Sequence, residues 1–319
     1  MRRLALICLF LFAVPAQSQS AGEKTFHLGL LAPSQASIEF TLVTTLPELA
    51  RLGFQDGRNL ALDARAAEDP AGMEQAAREL VAAHPDAVIA IGMDAAQAVD
   101  KTTKSVPMVM FGGDPVRAGL AESLVHPGGH VTGVVIFGTQ LDGKRLALLH
   151  DAVPNARRIA VLLHSGPGRL ESESEVRSVA ARLGLEIISV GVDDRGGYAG
   201  GFAAMHDAHA EALIITAHPQ LYADADQILA LARENGLPSI CEWAEMAQSG
   251  CLLAYGPDRA ALRQRLAHYV ARIFRGTPPG EQPIEQPTVF QLAINLSTAR
   301  SLNLAIPAGI LALADEVIE

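Results

Sequence analysis

The sequence predicts an α/β protein made of two open-sheet lobes, and three observations predict it. The chain has 319 residues, more than one ordinary core holds, which suggests two domains of ~150 residues each. Short apolar runs alternate with amphipathic helical patterns from residue 26 onward, which is the signature of βαβ units in a parallel sheet covered on both faces. The pattern then restarts in the second half of the chain.

Each half contains an acidic residue before a buried strand, then a crossover helix, then a strand that begins with proline. In the first half these are Asp86 and Pro107, and in the second half they are Glu211 and Pro238. The same order of elements in both halves of the chain favours two similar lobes that arose by duplication. The alternative is that any α/β chain repeats such units by chance.

The first twenty residues read as a signal peptide. Arg2 and Arg3 precede an apolar run over 4–14, and small residues follow at 15–18. A run of this length is too short to span a bilayer, which needs ~20 apolar residues. The sequence therefore predicts an exported protein located in the periplasm.

The elements of the first half follow from periodicity and turn residues. Apolar residues spaced three and four apart predict a helix over 73–81, and Asp94 is the predicted cap of a helix over 94–103. Strands are predicted over 26–32, 60–64, 87–91, 107–111 and 131–136.

The second half repeats this alternation and ends differently. Helices are predicted over 141–153 and 170–183, and strands over 158–163, 185–190, 212–216, 238–241 and 252–255. A further helix carries Leu262, Leu266, Tyr269, Val270 and Ile273 on one face, and a late strand follows over 286–295. The chain is therefore expected to pass between the lobes more than twice.

Charge and composition exclude several classes of function. The formal net charge is -10, and no run of basic residues is present. Nucleic acids and anionic membranes bind clustered Lys and Arg, so neither is an expected partner. With 49% hydrophobic and 19% charged residues, the chain can bury large cores.

Two cysteines follow the signal peptide, Cys241 and Cys251. Cys241 ends one predicted strand and Cys251 begins the next parallel strand, with a helix between them. That arrangement places them at opposite ends of adjacent strands, beyond the ~7 Å Cα separation that a disulfide permits. We therefore predict two buried free thiols, although a disulfide is the default for an exported protein.

Ligands of open parallel sheets bind beyond the carboxyl ends of the strands. The residues predicted there are Ser34, Met93, Asp94, Gly113 and Asp114 in the first half, and Ser165, His218, Glu242 and Tyr255 in the second. Asp114 could pair with an ammonium group, and helix N-termini could hold a carboxylate. The predicted ligand is a small polar or zwitterionic solute such as an amino acid.

Each of these assignments has a structural alternative. Asp114 precedes a proline, so it could be a turn or cap residue, and Ser34 and Ser165 could equally be helix caps. His164 and His218 both follow predicted strands and could be caps or core residues.

Motifs for catalysis and for cofactors are weak. His164-Ser165-Gly166 does not fit a nucleophile elbow, and no Gly-x-Gly-x-x-Gly or Walker loop is present. His206 and His209 lack a third metal ligand. We therefore expect no enzyme activity, no cofactor and no metal.

Several motifs together resemble the periplasmic substrate-binding proteins of ABC transporters, in the family that includes tryptophan-type aromatic amino-acid binders. The similar segments run from about residue 28 to 319 and are LGFQDGRNL at 52–60, GDPV at 113–116, HPGGHVTG at 126–133, GKRL at 143–146, QPTVF at 286–290, INLSTA at 294–299, IP at 306–307 and ADEVIE at 314–319.

This resemblance implies a type I periplasmic-binding fold, with two Rossmann-like lobes hinged by crossover segments. It implies one lobe over 24–136 plus 257–286 and a second over 137–256 plus 287–319. It also implies a permease and an ATPase as partners, and we expect a monomer.

Three segments depart from the family pattern and leave the ligand unidentified. Met93-Asp94 stands where similar proteins have a small residue and Thr, His164-Ser165 stands where they often have Asn-Pro, and Pro47 interrupts the predicted first helix. The leading hypothesis is capture of a solute by lobe closure for an importer. The alternatives are a sensing module for a membrane receptor and an exported hydrolase.

Overall fold

The computed structural model describes residues 24–166, 168–193 and 195–319. The signal peptide predicted over 1–20 lies outside these residues. Within the described ranges, no helix combines the length and the apolar character that a membrane crossing requires.

The first sheet is entirely parallel, with strand order β2-β1-β3-β4-β5. Strands β3 and β5 are buried along their whole length, as is typical of parallel strands covered by helices on both faces. Strand β3 is apolar throughout, and β5 carries one polar residue, Thr132. The elements in chain order are β1 (Phe26–Ala32), α1 (Gln35–Arg51), β2 (Leu60–Ala66), α2 (Pro70–Ala82), β3 (Ala87–Ile91), α3 (Met93–Thr102), β4 (Met108–Gly112) and β5 (Val131–Val135).

The second sheet has seven strands in the order β12-β11-β10-β9-β8-β6-β7, and its only antiparallel pair among the described residues is β10 with β11. Its elements are α4 (Asp142–Ala152), β6 (Arg158–His164), α5 (Arg169–Leu183), β7 (Glu186–Val192), α6 (Gly197–Asp207), β8 (Ala212–Ile215), α7 (Pro219–Ala223), α8 (Ala225–Glu234), β9 (Ser239–Cys241), α9 (Ala244–Gln248), β10 (Leu253–Pro257), α10 (Arg259–Phe274), β11 (Phe290–Asn295), α11 (Leu296–Ser301), α12 (Ala308–Leu311) and β12 (Glu316–Ile318).

The chain crosses between the two sheets at three places. After β5 it enters the second sheet through α4, and after β10 it returns as α10, whose Leu266, Tyr269 and Val270 lie in the core of the first sheet. The segment that ends at Glu285 still pairs with β5, and β11 then rejoins the second sheet. The α/β fold with Rossmann-like lobes is confirmed, and the lobe boundaries stay a prediction.

The prediction of two free thiols is wrong, because Cys241 and Cys251 form a disulfide. Their Cα atoms are 6.5 Å apart, inside the range that a bridge allows. Strand β9 is only three residues long, so its two ends are close together. Cys251 lies two residues before Leu253, and Leu253 pairs with Ile240, the neighbour of Cys241. The two cysteines are therefore close to each other across the paired strands.

Two smaller expectations also differ from the structure. Gly92 rather than Asp94 is the N-cap of α3, with a φ of 92° that favours glycine, and Asp94 lies in the first turn. Helix α1 continues through Pro47. Pro47 and Val43, four residues earlier, are both exposed, so water can satisfy the carbonyl group that proline leaves unpaired.

Candidate functional site

The candidate site lies where the carboxyl ends of the strands of both sheets approach each other. An ion pair between Arg117, which follows β4, and Glu171 of α5 joins the two lobes. The residues predicted to bind ligand follow these strand ends, but the side chains of several of them form hydrogen bonds to nearby backbone N–H groups.

Two predicted residues of the first lobe are helix or turn caps. The Ser34 hydroxyl accepts the N–H of Ser37 at the start of α1. One carboxylate oxygen of Asp114 accepts the N–H groups of Val116 at 2.9 Å and Arg117 at 3.1 Å. Both side chains therefore have the capping role that was the alternative to ligand binding.

The other three predicted residues of the first lobe lie side by side without such bonds. Met93 is half-buried at the start of α3, and a Cβ atom on Gly113 would be 3.3 Å from its Cγ. Asp94 is exposed next to Met93. Close contact with Met93 therefore limits the room for a side chain at position 113.

In the second lobe, His164 and His218 stack with ring centroids 3.9 Å apart and nearly parallel planes. The Nδ1 atom of His218 accepts the N–H of Gln220 and caps α7. Burial, reinforced by the charge of His164, lowers the pKa of His218 to about 4. His218 is therefore neutral at pH 7. Ser165, which follows His164, is exposed.

Glu242 is the buried acid of the site, with 8% of its surface exposed. Burial raises its pKa to about 7, against the opposing charge of Arg145 and with a further increase from Asp142. At neutral pH a large fraction of Glu242 is therefore protonated and can donate a hydrogen bond.

Arg145 holds two crossover segments together beneath this acid. Its Nε donates to the carbonyl of Tyr255 at 2.8 Å, and its Nη1 donates to the carbonyl of Gly138 at 2.9 Å and to Asp142 at 2.6 Å. Asp142 also accepts the hydroxyl of Ser172. The predicted residue Tyr255 thus takes part through its backbone, while its ring is half-buried and stacks on Phe290.

The site also contains a group that the sequence reasoning missed, the interlobe aromatic cluster of Phe40, Tyr222, Trp243 and Arg259. The guanidinium carbon of Arg259 lies 3.6 Å from the ring centroid of Phe40, 4.4 Å from that of Tyr222 and 5.9 Å from that of Trp243. Phe40 belongs to α1 of the first lobe. Tyr222 and Trp243 come from the second.

Arg259 also forms an ion pair with Glu245 of α9 at 3.3 Å. The sequence carried a usable signal for the cluster, because Trp243 is the only tryptophan of the chain and lies two residues after the predicted end of β9. Arg259 gave no such signal, since any arginine in the first turn of a helix reads as a solvated residue.

The arrangement suits reversible binding of a small molecule with an apolar ring and a charged group. Aromatic faces provide contact area, and Arg259 and Glu242 provide polar groups in a largely dehydrated position. Within the described ranges, no group of three metal-ligating side chains converges on one point.

A family model described as ABC transporter substrate binding protein matches residues 43–318. The chain is similar to a tyrosine-binding protein of Clostridioides difficile strain R20291, with 26% identity over 265 residues that cover 79% of this chain and 73% of that protein.

Two solved structures share the fold. A conserved domain protein from Vibrio cholerae O1 biovar El Tor superimposes with a TM-score of 0.85 at 24% identity, over 92% of this chain and 100% of that one. An ABC domain from Streptococcus pneumoniae, solved in complex with L-Trp, superimposes with a TM-score of 0.84 at 23% identity, over the same shares of the two chains.

Proposed function

The chain belongs to the family of ABC transporter substrate-binding proteins, and from this premise we propose that it captures a small solute between its lobes for import. The observation that carries the proposal is the interlobe aromatic cluster, in which Arg259 touches Phe40 of one lobe and Tyr222 of the other. A solute bound there would contact both lobes at once, and would therefore favour the closed state over the open one.

We propose an amino acid with an aromatic side chain as the ligand. The chain's similarity to a tyrosine-binding protein and its fold likeness to an L-Trp complex support this class. The cluster supports it independently, because offset or edge-to-face contact with Phe40, Tyr222 or Trp243 would stabilise an aromatic ring. Aromatic residues make up only 5% of the sequence, so three aromatic rings around one guanidinium group are a stronger indication of a binding site for an aromatic solute.

The predicted ligand residues receive different roles in this proposal. Ser34, Asp114 and His218 shape the site as caps, and Met93, Asp94, Gly113 and Ser165 border it. Glu242 is positioned to offer a polar contact from the second lobe, and Tyr255 anchors Arg145 through its carbonyl. The aromatic and guanidinium groups of the cluster make the main contacts.

The proposed physiological setting follows from the family. The protein would be exported to the periplasm, bind its solute as a monomer without transforming it, and present the closed form to a permease driven by an ATPase. Proteins similar to this chain are ligand binders, which supports a role without catalysis.

Isothermal titration calorimetry tests the ligand class directly. The panel contains L-tryptophan, L-tyrosine and L-phenylalanine, with L-leucine, L-lysine and D-glucose as competitors of other classes. We expect binding of at least one aromatic amino acid and none of the others. Binding of a competitor with no response to any aromatic amino acid would refute the proposed class.

A variant pair tests the location of the site. Tyr222→Leu removes a ring from the cluster, and we expect it to weaken binding about tenfold or more, equivalent to about 1.4 kcal/mol. Phe26→Leu is the matched control, because Phe26 is also half-buried but begins β1 at the amino end of the first sheet. Equal losses in both variants would place the ligand elsewhere.

A further inference from the structure

Arg263 is a buried guanidinium without a counter-ion. Only 4% of its surface is exposed, and its guanidinium carbon lies 3.8 Å from the ring centroid of Phe111. Its Nη1 donates to the hydroxyl of Thr41 at 3.2 Å, and its Nε has no hydrogen-bond partner within residues 24–166, 168–193 and 195–319. Among the described residues, no carboxylate forms an ion pair with it.

This arrangement differs from that of Arg145, the other deeply buried arginine of the site. Arg145 is balanced by Asp142, which it contacts at 2.6 Å. A guanidinium stays protonated in proteins, and an uncompensated buried charge costs several kcal/mol. An aromatic ring and one hydroxyl group offset only part of that cost, so the surroundings of Arg263 lack a negative charge.

Arg259 lies one helical turn before Arg263 on α10, and residues four apart on a helix are neighbours. Burial, reinforced by the charge of Arg259, holds the pKa of Arg263 well below its usual range. In the part of the chain that the structure describes, Glu245 is the single carboxylate paired with Arg259. Glu242 supplies only part of a further negative charge, because a large fraction of it is protonated at neutral pH.

Both guanidiniums face the interface between the lobes. Burial raises the pKa of Tyr222, and the charges of Arg259 and Arg263 both oppose that increase. Tyr222 belongs to α7 of the second lobe, so the two arginines of the first lobe lie near it. The uncompensated positive charge is therefore located beside the aromatic cluster.

We infer that Arg263 and Arg259 form an anion site that binds the carboxylate of the captured solute, with the Thr41 hydroxyl as an additional donor. This inference rests on the proposed function and deepens it, since it requires a solute with both an apolar ring and a carboxylate. The planar guanidinium matches a carboxylate through paired N–H bonds. The missing negative charge would then arrive with the ligand.

The experiment compares two variants of α10, Arg263→Met and Arg272→Met. Methionine keeps much of the side-chain bulk and removes the charge. Arg272 is the matched control, because its guanidinium carbon also lies over a ring, 4.6 Å from the centroid of Tyr269, and its Nε is also buried without a partner. Each protein is titrated with L-tryptophan and with L-tryptophanamide, which lacks the carboxylate.

We expect the unaltered chain to bind L-tryptophan about 100-fold more tightly than the amide, as for a buried charge pair. Arg263→Met should lose about 100-fold for L-tryptophan and change amide binding less than threefold, while Arg272→Met changes neither. Equal losses for acid and amide in Arg263→Met, or no discrimination by the unaltered chain, would overturn the inference.

A stability readout separates this inference from the proposed function. Without ligand, Arg263→Met should have a midpoint of thermal unfolding at or above that of the unaltered chain, because it removes an uncompensated charge. A decrease of several degrees would identify Arg263 as a structural residue and refute the anion site. Failure of the unaltered chain to bind either probe would exclude tryptophan as the solute, whereas the aromatic class falls only if tyrosine and phenylalanine also fail to bind. The thermal comparison would then decide the anion site.

Discussion

Glu242 and His218 should give the protein two opposing dependences of stability on pH, which single substitutions can separate. Burial raises the pKa of Glu242 from 4.5 to about 7 and lowers the pKa of His218 from 6.5 to about 4. The folded protein therefore keeps a proton on Glu242 that the unfolded chain releases. In the folded protein His218 stays unprotonated at pH values at which the unfolded chain protonates it.

The sign of each contribution follows from this difference in bound protons. As the pH rises from 4.5 to about 7, Glu242 reduces the free energy of unfolding, because its carboxyl group ionises in the unfolded state and stays protonated in the folded state. As the pH falls from 6.5 to about 4, His218 also reduces it, because the unfolded state binds the extra proton. Each difference in pKa corresponds to about 3 kcal/mol, at about 1.4 kcal/mol for each pKa unit.

Between pH 4.5 and 6.5 the two slopes nearly cancel in the unaltered chain. Glu242→Gln keeps the shape of the side chain and removes its titration, so the free energy of unfolding should rise by about 3 kcal/mol between pH 4 and 6.5. His218→Asn retains an oxygen that can cap α7 and should show a decrease of about 3 kcal/mol between pH 4.5 and 7.

Urea unfolding at half-unit pH intervals measures both profiles. Trp243 is the only tryptophan in the sequence and follows Glu242 directly, so its fluorescence reports on the site, and circular dichroism reports on the whole chain. The difference between Glu242→Gln and the unaltered chain should grow by about 3 kcal/mol from pH 4.5 to 7.5. A difference that stays constant over this interval would refute the burial argument for Glu242.

Two further predictions concern stability. A Cβ atom on Gly138 would lie 2.7 Å from Oε1 of Glu242 and 2.8 Å from the Cβ atom of Ala217, which cannot rotate away. Gly138→Ala should therefore lower the free energy of unfolding by about 2 kcal/mol, whereas Gly200→Ala in α6, where a Cβ atom meets nothing within 4 Å, should raise it by about 0.5 kcal/mol. Equal effects of the two variants in urea denaturation would contradict this prediction. Replacing Cys241 and Cys251 by alanine opens a loop with a sequence separation of 10 and should cost about 3 kcal/mol, and an unfolding midpoint equal to that of the unaltered chain under non-reducing conditions would refute a stabilising disulfide.

Local sequence accounts well for the capping residues and poorly for the disulfide. Ser34 and Asp114 precede helical or turn segments, and their side chains bond to backbone N–H groups two or three residues away. Such contacts depend only on the local chain. The proximity of Cys241 to Cys251 depends on the pairing of β9 with β10 and on the path of the chain between them, which the local sequence does not specify.

The α/β architecture follows from the amino-acid sequence alone, because apolar runs that alternate with amphipathic helices can be buried in few other ways than parallel sheets between helical layers. Tertiary structure decided the site. Phe40, Tyr222 and the pair Arg259 and Arg263 belong to three different helices of two lobes, and each residue by itself has the pattern of an ordinary helix residue. Only the packing of α10 against α1, with α7 facing both across the interface, brings aromatic rings and uncompensated positive charge together.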